Sequence, residues 1–346
     1  MAAEKAAEFR LTVLNPGGRD PEQSFCAPAE PGPVLHAPVN FHGFAACTEG
    51  FFHRDVQRAI MEGLPVLLLL RGDFASCERA SAELKKHGVK VVVSLKETGL
   101  HQIAQQLSQP RRLERFIRIV NQADGCIATT PEAAEIHWRV RLKRDPATVV
   151  FIPTPYPMED RQWDMSIQPD EQTGIFVGTR EWDVPSRNHF AALLMARQLC
   201  QATGESVTVV NLDGWRGKKL LGELNFPAGK LHVIEKEKPY ADYVREVARH
   251  KFVLQLDRSR VPGQVAGDAL LARTLCVGGD GTVERIIFSK TNGEGRTIND
   301  LTIMAAGLLS DTSARATLIS ESRVRALERL SFQAIRLQLA TFFARL

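Results

Sequence analysis

Three short segments in the second half of the chain carry the residues best suited to chemistry. Gly178-Thr179-Arg180-Glu181-Trp182-Asp183-Val184-Pro185-Ser186-Arg187-Asn188 sets two arginines behind a glycine. Asp257-Arg258-Ser259-Arg260-Val261-Pro262-Gly263 leads into a helical pattern holding Gly267 and Asp268, and Gly278-Gly279-Asp280-Gly281-Thr282 is a glycine-rich turn. Each follows an apolar, β-branched run. A turn from a strand into a helix aims backbone N–H groups at an anion, and glycine lets the backbone approach it closely. With Arg180, Arg187 and Arg260 nearby, such turns suit a phosphorylated ligand, and the carboxylate of Asp268 suits hydroxyl groups. Plainer readings stand beside these. Paired arginines also form salt-bridged surface, a carboxylate early in a helix also serves the helix dipole, and Arg260 is either a planar fork for an oxyanion or a rim charge.

The elements that must position these residues come in two successive runs. Strands are expected at Leu11–Leu14, Val34–Val39, Val66–Leu70, Val89–Val93, Cys126–Thr129 and Val149–Ile152. Helical spacing of apolar residues marks Gly50–Glu62, Ala75–His87, Leu100–Gln122 and Pro131–Val140 between them. Such alternation predicts a parallel sheet covered by crossover helices. It stops at Pro153-Thr154-Pro155-Tyr156-Pro157 and an acidic, unpatterned stretch, then restarts. The second run predicts strands at Ile175–Gly178, Val207–Asn211, Leu231–Ile234, Phe252–Leu256 and Leu275–Gly278, with helices at Pro185–Thr203, Tyr240–His250 and Gln264–Arg273. Residues 299–346 read as helices, the last of them apolar enough to need a partner surface. The expected division is residues 1–160, 161–330 and a carboxyl-terminal helix over 331–346 packing back toward the amino-terminal domain.

Composition narrows the function classes. The 346 residues are 44% hydrophobic and 24% charged, material for two cores and against global disorder. The longest apolar run, Leu64–Leu70, is far short of the ~20 residues that a membrane-spanning helix needs. Met1–Glu8 lacks a secretory pattern, so a cytoplasmic protein is expected. Lys and Arg exceed Asp and Glu by 44 to 40, too little to predict nucleic-acid binding. The basic set Arg111, Arg112, Arg115, Arg118, Arg139, Arg141, Lys143 and Arg144 is either a solvated helix face or a peripheral contact with anionic membrane at its inner face. The six cysteines are dispersed without metal-ligand spacing and are read as reduced, and no metal site is expected.

The order of elements resembles the carboxyl-terminal half of GT-B glycosyltransferases, most of all the retaining family 4. Gly174–Asn188 resembles that family's opening strand, glycine and basic clamp. Tyr240–Gly279 resembles its helix, strand, Pro-Gly loop and "EALA"-type helix, which here reads Asp268-Ala269-Leu270-Leu271-Ala272. Gln122-Ala123-Asp124-Gly125-Cys126-Ile127-Ala128-Thr129-Thr130-Pro131-Glu132 resembles a segment near the end of the family's amino-terminal domain. There are departures. The family's Glu-x7-Glu pair falls on Arg260 and Asp268, its basic pair is five apart where Arg180 and Arg187 are seven apart, and a histidine it often carries is absent from Val91–Lys96.

The resemblance implies an α/β GT-B fold, two Rossmann-like domains facing a cleft with carboxyl-terminal helices. It implies a hexosyltransferase-like glycosyltransferase that moves sugar from a nucleotide-sugar donor to a glycan, lipid-linked or small-molecule acceptor, as in polysaccharide biosynthesis, with retention, no cofactor and no divalent metal. Arg180 and Arg187 would hold the diphosphate, and Gly263, Gly267 and Asp268 would meet the nucleotide, with Arg260 beside them. The Asn15–Asp20 turn, with Gly17 and Gly18, is either a glycine loop that approaches a sugar or acceptor or a plain turn, and His42 is either an acceptor wall or an ordinary packed or surface residue. The alternatives are a GT-B-fold nucleotide-sugar epimerase and a non-catalytic nucleotide- or glycan-binding member.

Overall fold

Successive side chains of a strand face opposite ways, and Val66–Leu70, all five residues buried, sorts its neighbours accordingly. In the computed structural model, which describes residues 8–26, 36–143, 145–178, 182 and 184–346, Val66, Leu68 and Leu70 join one core with Phe74, Phe116 and Ile119. Leu67 and Leu69 join another with Phe44, Phe52, Ile335 and Phe342. The strand, β4, is central in a seven-stranded sheet with β1 (Thr12–Leu14), β2 (Gln23–Ser24), β3 (Phe51–His53), β5 (Val91–Leu95), β6 (Gly125–Ala128) and β7 (Val149–Phe151). Their order is β2-β3-β1-β4-β5-β6-β7, parallel except for the short edge strand β2.

This sheet belongs to the first of two compact units, Met1–Glu159 with Arg329–Leu346. Its helices are α1 (Asn40–Cys47), α2 (Val56–Met61), α3 (Ala75–Lys86), α4 (Leu100–Leu107), α5 (Pro110–Gln122) and α6 (Pro131–Val140). Three expectations change here. The described part of Val34–Val39, residues 36–39, is not a strand and leads into α1. The expected helix Gly50–Glu62 opens as β3, because Phe51–His53 pairs with Thr12–Leu14, and α2 waits for Asp55, whose carboxylate accepts from the N–H groups of Gln57 and Arg58. The expected helix Leu100–Gln122 is broken at Pro110, which cannot donate to the preceding turn.

The second unit, Asp160–Glu328, has a five-stranded parallel sheet of β8 (Ile175–Val177), β9 (Val207–Val210), β10 (Leu231–Ile234), β11 (Phe252–Leu254) and β12 (Leu275–Val277), in the order β10-β9-β8-β11-β12. The chain builds outward from β8 in one direction, then crosses to β11 and builds in the other. The reversal makes a topological switch point between β8 and β11, where open sheets of this kind bind ligands beyond the strands' carboxyl ends. Helices α7 (His189–Thr203), α8 (Gly214–Glu223), α9 (Tyr240–Ala248), α10 (Gln264–Leu271), α11 (Thr282–Ile286), α12 (Ile298–Ser310) and α13 (Thr312–Arg329) complete the unit. The expected helix from Pro185 begins only at His189, after a single 3-10 turn, Pro185–Arg187, and Asn188 at φ +49°.

The last helix, α14 (Phe332–Phe343), is part of the first unit. Ser331 caps it through the N–H of Ala334, and Arg336 meets Glu49 at 2.8 Å. Ile335, Leu339, Phe342 and Phe343 close the core that holds Phe41, Phe44 and Phe52. Among the described residues no helix is long and apolar enough to cross a membrane.

Candidate functional site

The turns after β8 and β11 flank the switch point and are stitched to each other. Arg258 N donates to Ser186 O at 2.8 Å, Asn188 Nδ2 to Leu256 O at 2.9 Å, and the hydroxyls of Ser186 and Ser259 meet at 2.9 Å. Beneath them lies Asp257, 1% exposed. It accepts from Ser259 N at 2.7 Å and from the Ser259 hydroxyl, and Arg187 closes on its second oxygen. Arg187 is therefore fixed at the mouth of the switch point by a dry carboxylate, a charge-assisted bond of the stronger kind. Arg180 lies outside the described residues.

Arg260 takes a left-handed backbone, φ +53°. Its N–H donates to Asp280 Oδ1 at 3.1 Å, its Nε lies 3.3 Å from Asp280 Oδ2, and a guanidinium nitrogen lies 3.0 Å from Glu294. Arg260 is thus held by two carboxylates supplied from later loops, Asp280 and Glu294. Arg258 turns away and donates to the carbonyls of Gly293 and Arg296. Burial raises the Asp280 carboxyl above its ordinary value, and its contacts with Arg260 work against that.

Gly263, at φ +94°, caps the start of α10. Only glycine adopts that backbone without strain, and a Cβ there would come 2.3 Å from Glu284 Oε2. Gly267 N donates back to Gly263 O at 2.9 Å, closing the first turn. Asp268 follows on the same helix, buried, and accepts from the hydroxyl of Tyr240, the first residue of α9. The second unit thus brings Arg187, Arg260, Gly263, Gly267 and Asp268 to the carboxyl ends of β8 and β11. Sequence reasoning missed the partners that hold them: Asp257, Tyr240, Gln255 and Glu284. A clue was present, since Glu284 follows the Gly278–Thr282 turn by two residues.

The remaining candidates lie in the first unit. Gly17 has φ +71° and its carbonyl accepts from Arg71 at 2.9 Å, while a Cβ on Gly18 would strike the Asn15 amide at 2.2 Å. Asn15 and Lys96 both donate to Asp20, at 2.7 and 2.8 Å, so the glycine turn sits at the carboxyl ends of β1 and β5 beside one amide, one cation and one carboxylate. His42 is 3% exposed, stacked between Phe52 at 3.7 Å and His36 at 4.0 Å, and its Nε2 meets Pro21 O at 2.8 Å. Burial and the neighbouring His36 pull its pKa down to about 4. Both of its ring faces are covered by other rings.

Much of the basic set is engaged within its own unit. Arg115 and Arg118 meet Glu78, Arg139 meets Glu135, and Arg141 turns inward to the carbonyls of Val120 and Ala123. The cysteines are free, with Cys26 exposed and the other five buried. Among the described residues no three His, Cys, Asp or Glu side chains gather as a cation site.

No family model and no curated protein matches this chain by sequence. Solved structures do match. HepE of Anabaena in complex with UDP aligns over 98% of this chain and 100% of its own, at 12% identity and a TM-score of 0.64. A UDP-forming α,α-trehalose-phosphate synthase from Burkholderia xenovorans aligns over 97% and 98%, at 10% identity and 0.61. The trehalose-6-phosphate synthase OtsA aligns over 84% and 74%, at 11% identity and 0.65. At such identities the likeness is one of architecture, and the architecture is the α/β GT-B fold of glycosyltransferase structures.

Proposed function

We propose that this protein moves a sugar from a nucleoside-diphosphate donor to an acceptor hydroxyl, with retention of configuration and without a divalent metal. The observation that carries this is the start of α10 at the switch point: a glycine-capped helix N-terminus with Arg187 and Arg260 near it and a carboxylate one turn further on. Departure of the sugar leaves growing negative charge on the β-phosphate oxygen. Cations and N–H groups fixed beforehand stabilise that charge more than they stabilise the bound donor. Arg187 is fixed by Asp257, and this role falls to it together with Arg180. Asp268 reads the ribose hydroxyls, steadied by Tyr240. UDP is the first probe to try, because HepE binds it and the Burkholderia synthase forms it.

A thermal-shift screen of UDP-, GDP-, ADP- and dTDP-sugars tests the reading. A true donor at ~100 times its Kd should stabilise the protein by ~2.7 kcal/mol. Silence across all four bases would defeat the proposal. Turnover that vanishes in EDTA and returns with manganese would defeat its metal-free part. A second reading, a member that binds nucleotide without turnover, draws on Arg260 in the acid's place. Release of UDP from a bound donor, even slowly by hydrolysis, argues against it, and release only with an acceptor separates transfer from epimerisation.

A further inference from the structure

Glu284, on α11, occupies the point where the loops of the candidate site meet. Its side chain is fully buried. A Cβ on Gly263 or Gly281 would come 2.3 or 2.5 Å from its Oε2, and one on Gly279 would come 3.1 Å from its Oε1. Oε1 accepts from Gln255 Nε2, and Oε2 is buried without a hydrogen-bond partner. Gln255 comes from the end of β11, Gly263 opens α10 and Gly279 and Gly281 follow β12. One carboxyl therefore fills the space that three glycines leave open.

Its surroundings are acidic. Asp257 faces it from the turn after β11, and Asp280 and the Cys276 thiol face it from β12 and the following turn. The Cys276 thiol also feels the charge of Asp268 on α10. The nearby cations are turned to other groups: Arg187 holds Asp257, Arg260 holds Asp280, and Arg285 on the same helix directs its Nε to Gly281 O at 3.4 Å. A dry carboxyl whose Oε2 meets no other side chain, beside two carboxylates, suits an uncharged acid and penalises an anion. Burial first, with Asp257 and Asp280 adding to it and the Glu284 N–H and the Gln255 amide pulling the other way, raises the carboxyl from its ordinary 4.5 to about 8.

We propose that Glu284 is a positioning residue: as the neutral acid it holds Gly263 and the Gly278–Gly281 turn in the geometry that receives a nucleoside diphosphate, and release of its proton to solvent loosens that geometry. The inference rests on the nucleotide-sugar reading above. An ionised Glu284 needs water at Oε2, and water reaches it only if the glycine turns packed against it move. A bound diphosphate adds negative charge nearby and favours the protonated form, so binding above about pH 8 draws in a proton.

The test titrates UDP into the full chain between pH 7 and 9.5, for the wild type and Glu284→Gln, which keeps the shape and cannot ionise. Wild-type Kd should be level to about pH 8 and then rise by up to about tenfold per pH unit, with a binding heat that depends on the buffer's ionisation heat. The variant should lack both effects. A level wild-type Kd, or the same rise in the variant, overturns the proposal. Melting without nucleotide supplies an arm independent of UDP. The folded carboxyl holds its proton more tightly than the unfolded one, so wild-type stability relative to the variant should fall from about pH 4.5 to about pH 8 and level off above. If UDP fails to bind at any pH, the nucleotide reading passes to the other bases of the donor screen, and the melting arm decides alone: diverging curves keep the proton-held turns, and parallel curves reject them.

Discussion

Arg187 and Asp257 form a pair in which the carboxylate is dry and the arginine reaches outward, so removing the arginine does two things. Arg187→Ala should lower the chemical rate by ~10²–10³ and also strand a buried charge, costing about 3–5 kcal/mol. Adding Asp257→Asn removes that charge and should restore most of the melting temperature while leaving turnover low. Full turnover in the single variant would move the diphosphate clamp elsewhere. Asp268 makes a sharper probe of nucleotide recognition. Asp268→Ala should weaken UDP by ~1.5–3 kcal/mol, and 2′-deoxy-UDP should lose part of the same energy with the wild type but not with the variant, as read by titration calorimetry. At this scale the sequence was legible for residue type and poor for partnership. Asp268 stands out at the start of its helix and Arg187 behind its glycine turn, but Tyr240, 28 positions before Asp268, and Asp257, 70 after Arg187, become neighbours only once β8, β11 and β12 lie side by side.

The two glycine turns differ in what surrounds them, and that difference ranks their substitutions. Gly17 and Gly263 both have positive φ, worth roughly 1–2 kcal/mol against any side chain. A Cβ at Gly17 meets only Ser76 Oγ at 3.6 Å, whereas one at Gly263 meets the buried Glu284 carboxyl and Val283. Gly263→Ala should therefore lower the urea midpoint well beyond Gly17→Ala, and equal losses would mean that the α10 start is not tightly held. Fully buried strands were readable as continuous apolar runs, Val66–Leu70 above all. Helix ends were not, since they depend on single residues: Pro110 splits a continuous pattern, Asp55 delays a helix start, and Asn188 bends the entry to α7. β3 was hidden because Phe51–His53 carries apolar residues that also satisfy a helical pattern, and only its pairing with β1 decides.

Across the whole molecule the titration of buried groups sets opposing slopes. Burial pulls His42, His137 and His189 down to about 4. The folded protein resists protons that the unfolded chain takes near pH 6.5, so their contribution is complete above that pH and is lost as pH falls toward 4. At 1.36 kcal/mol per pH unit, each represents about 3 kcal/mol, together comparable to a typical net stability of ~5–15 kcal/mol. Glu284 works in the opposite sense up to about pH 8. Urea unfolding should show stability rising steeply from pH 4 to 6.5, then easing downward, and a level profile from pH 7 to 5 would mean that these imidazoles are hydrated. The threading of the chain has a further consequence, for the order of synthesis. The first unit takes α14 from residues beyond Arg329, so while a ribosome makes the second unit the faces of Phe41, Phe44 and Phe52 stay uncovered, on the order of 10 s or more at ~5–20 residues per second. Nascent chains stalled before residue 329 should bind holdase chaperones through that face, and the full chain released from the ribosome should not.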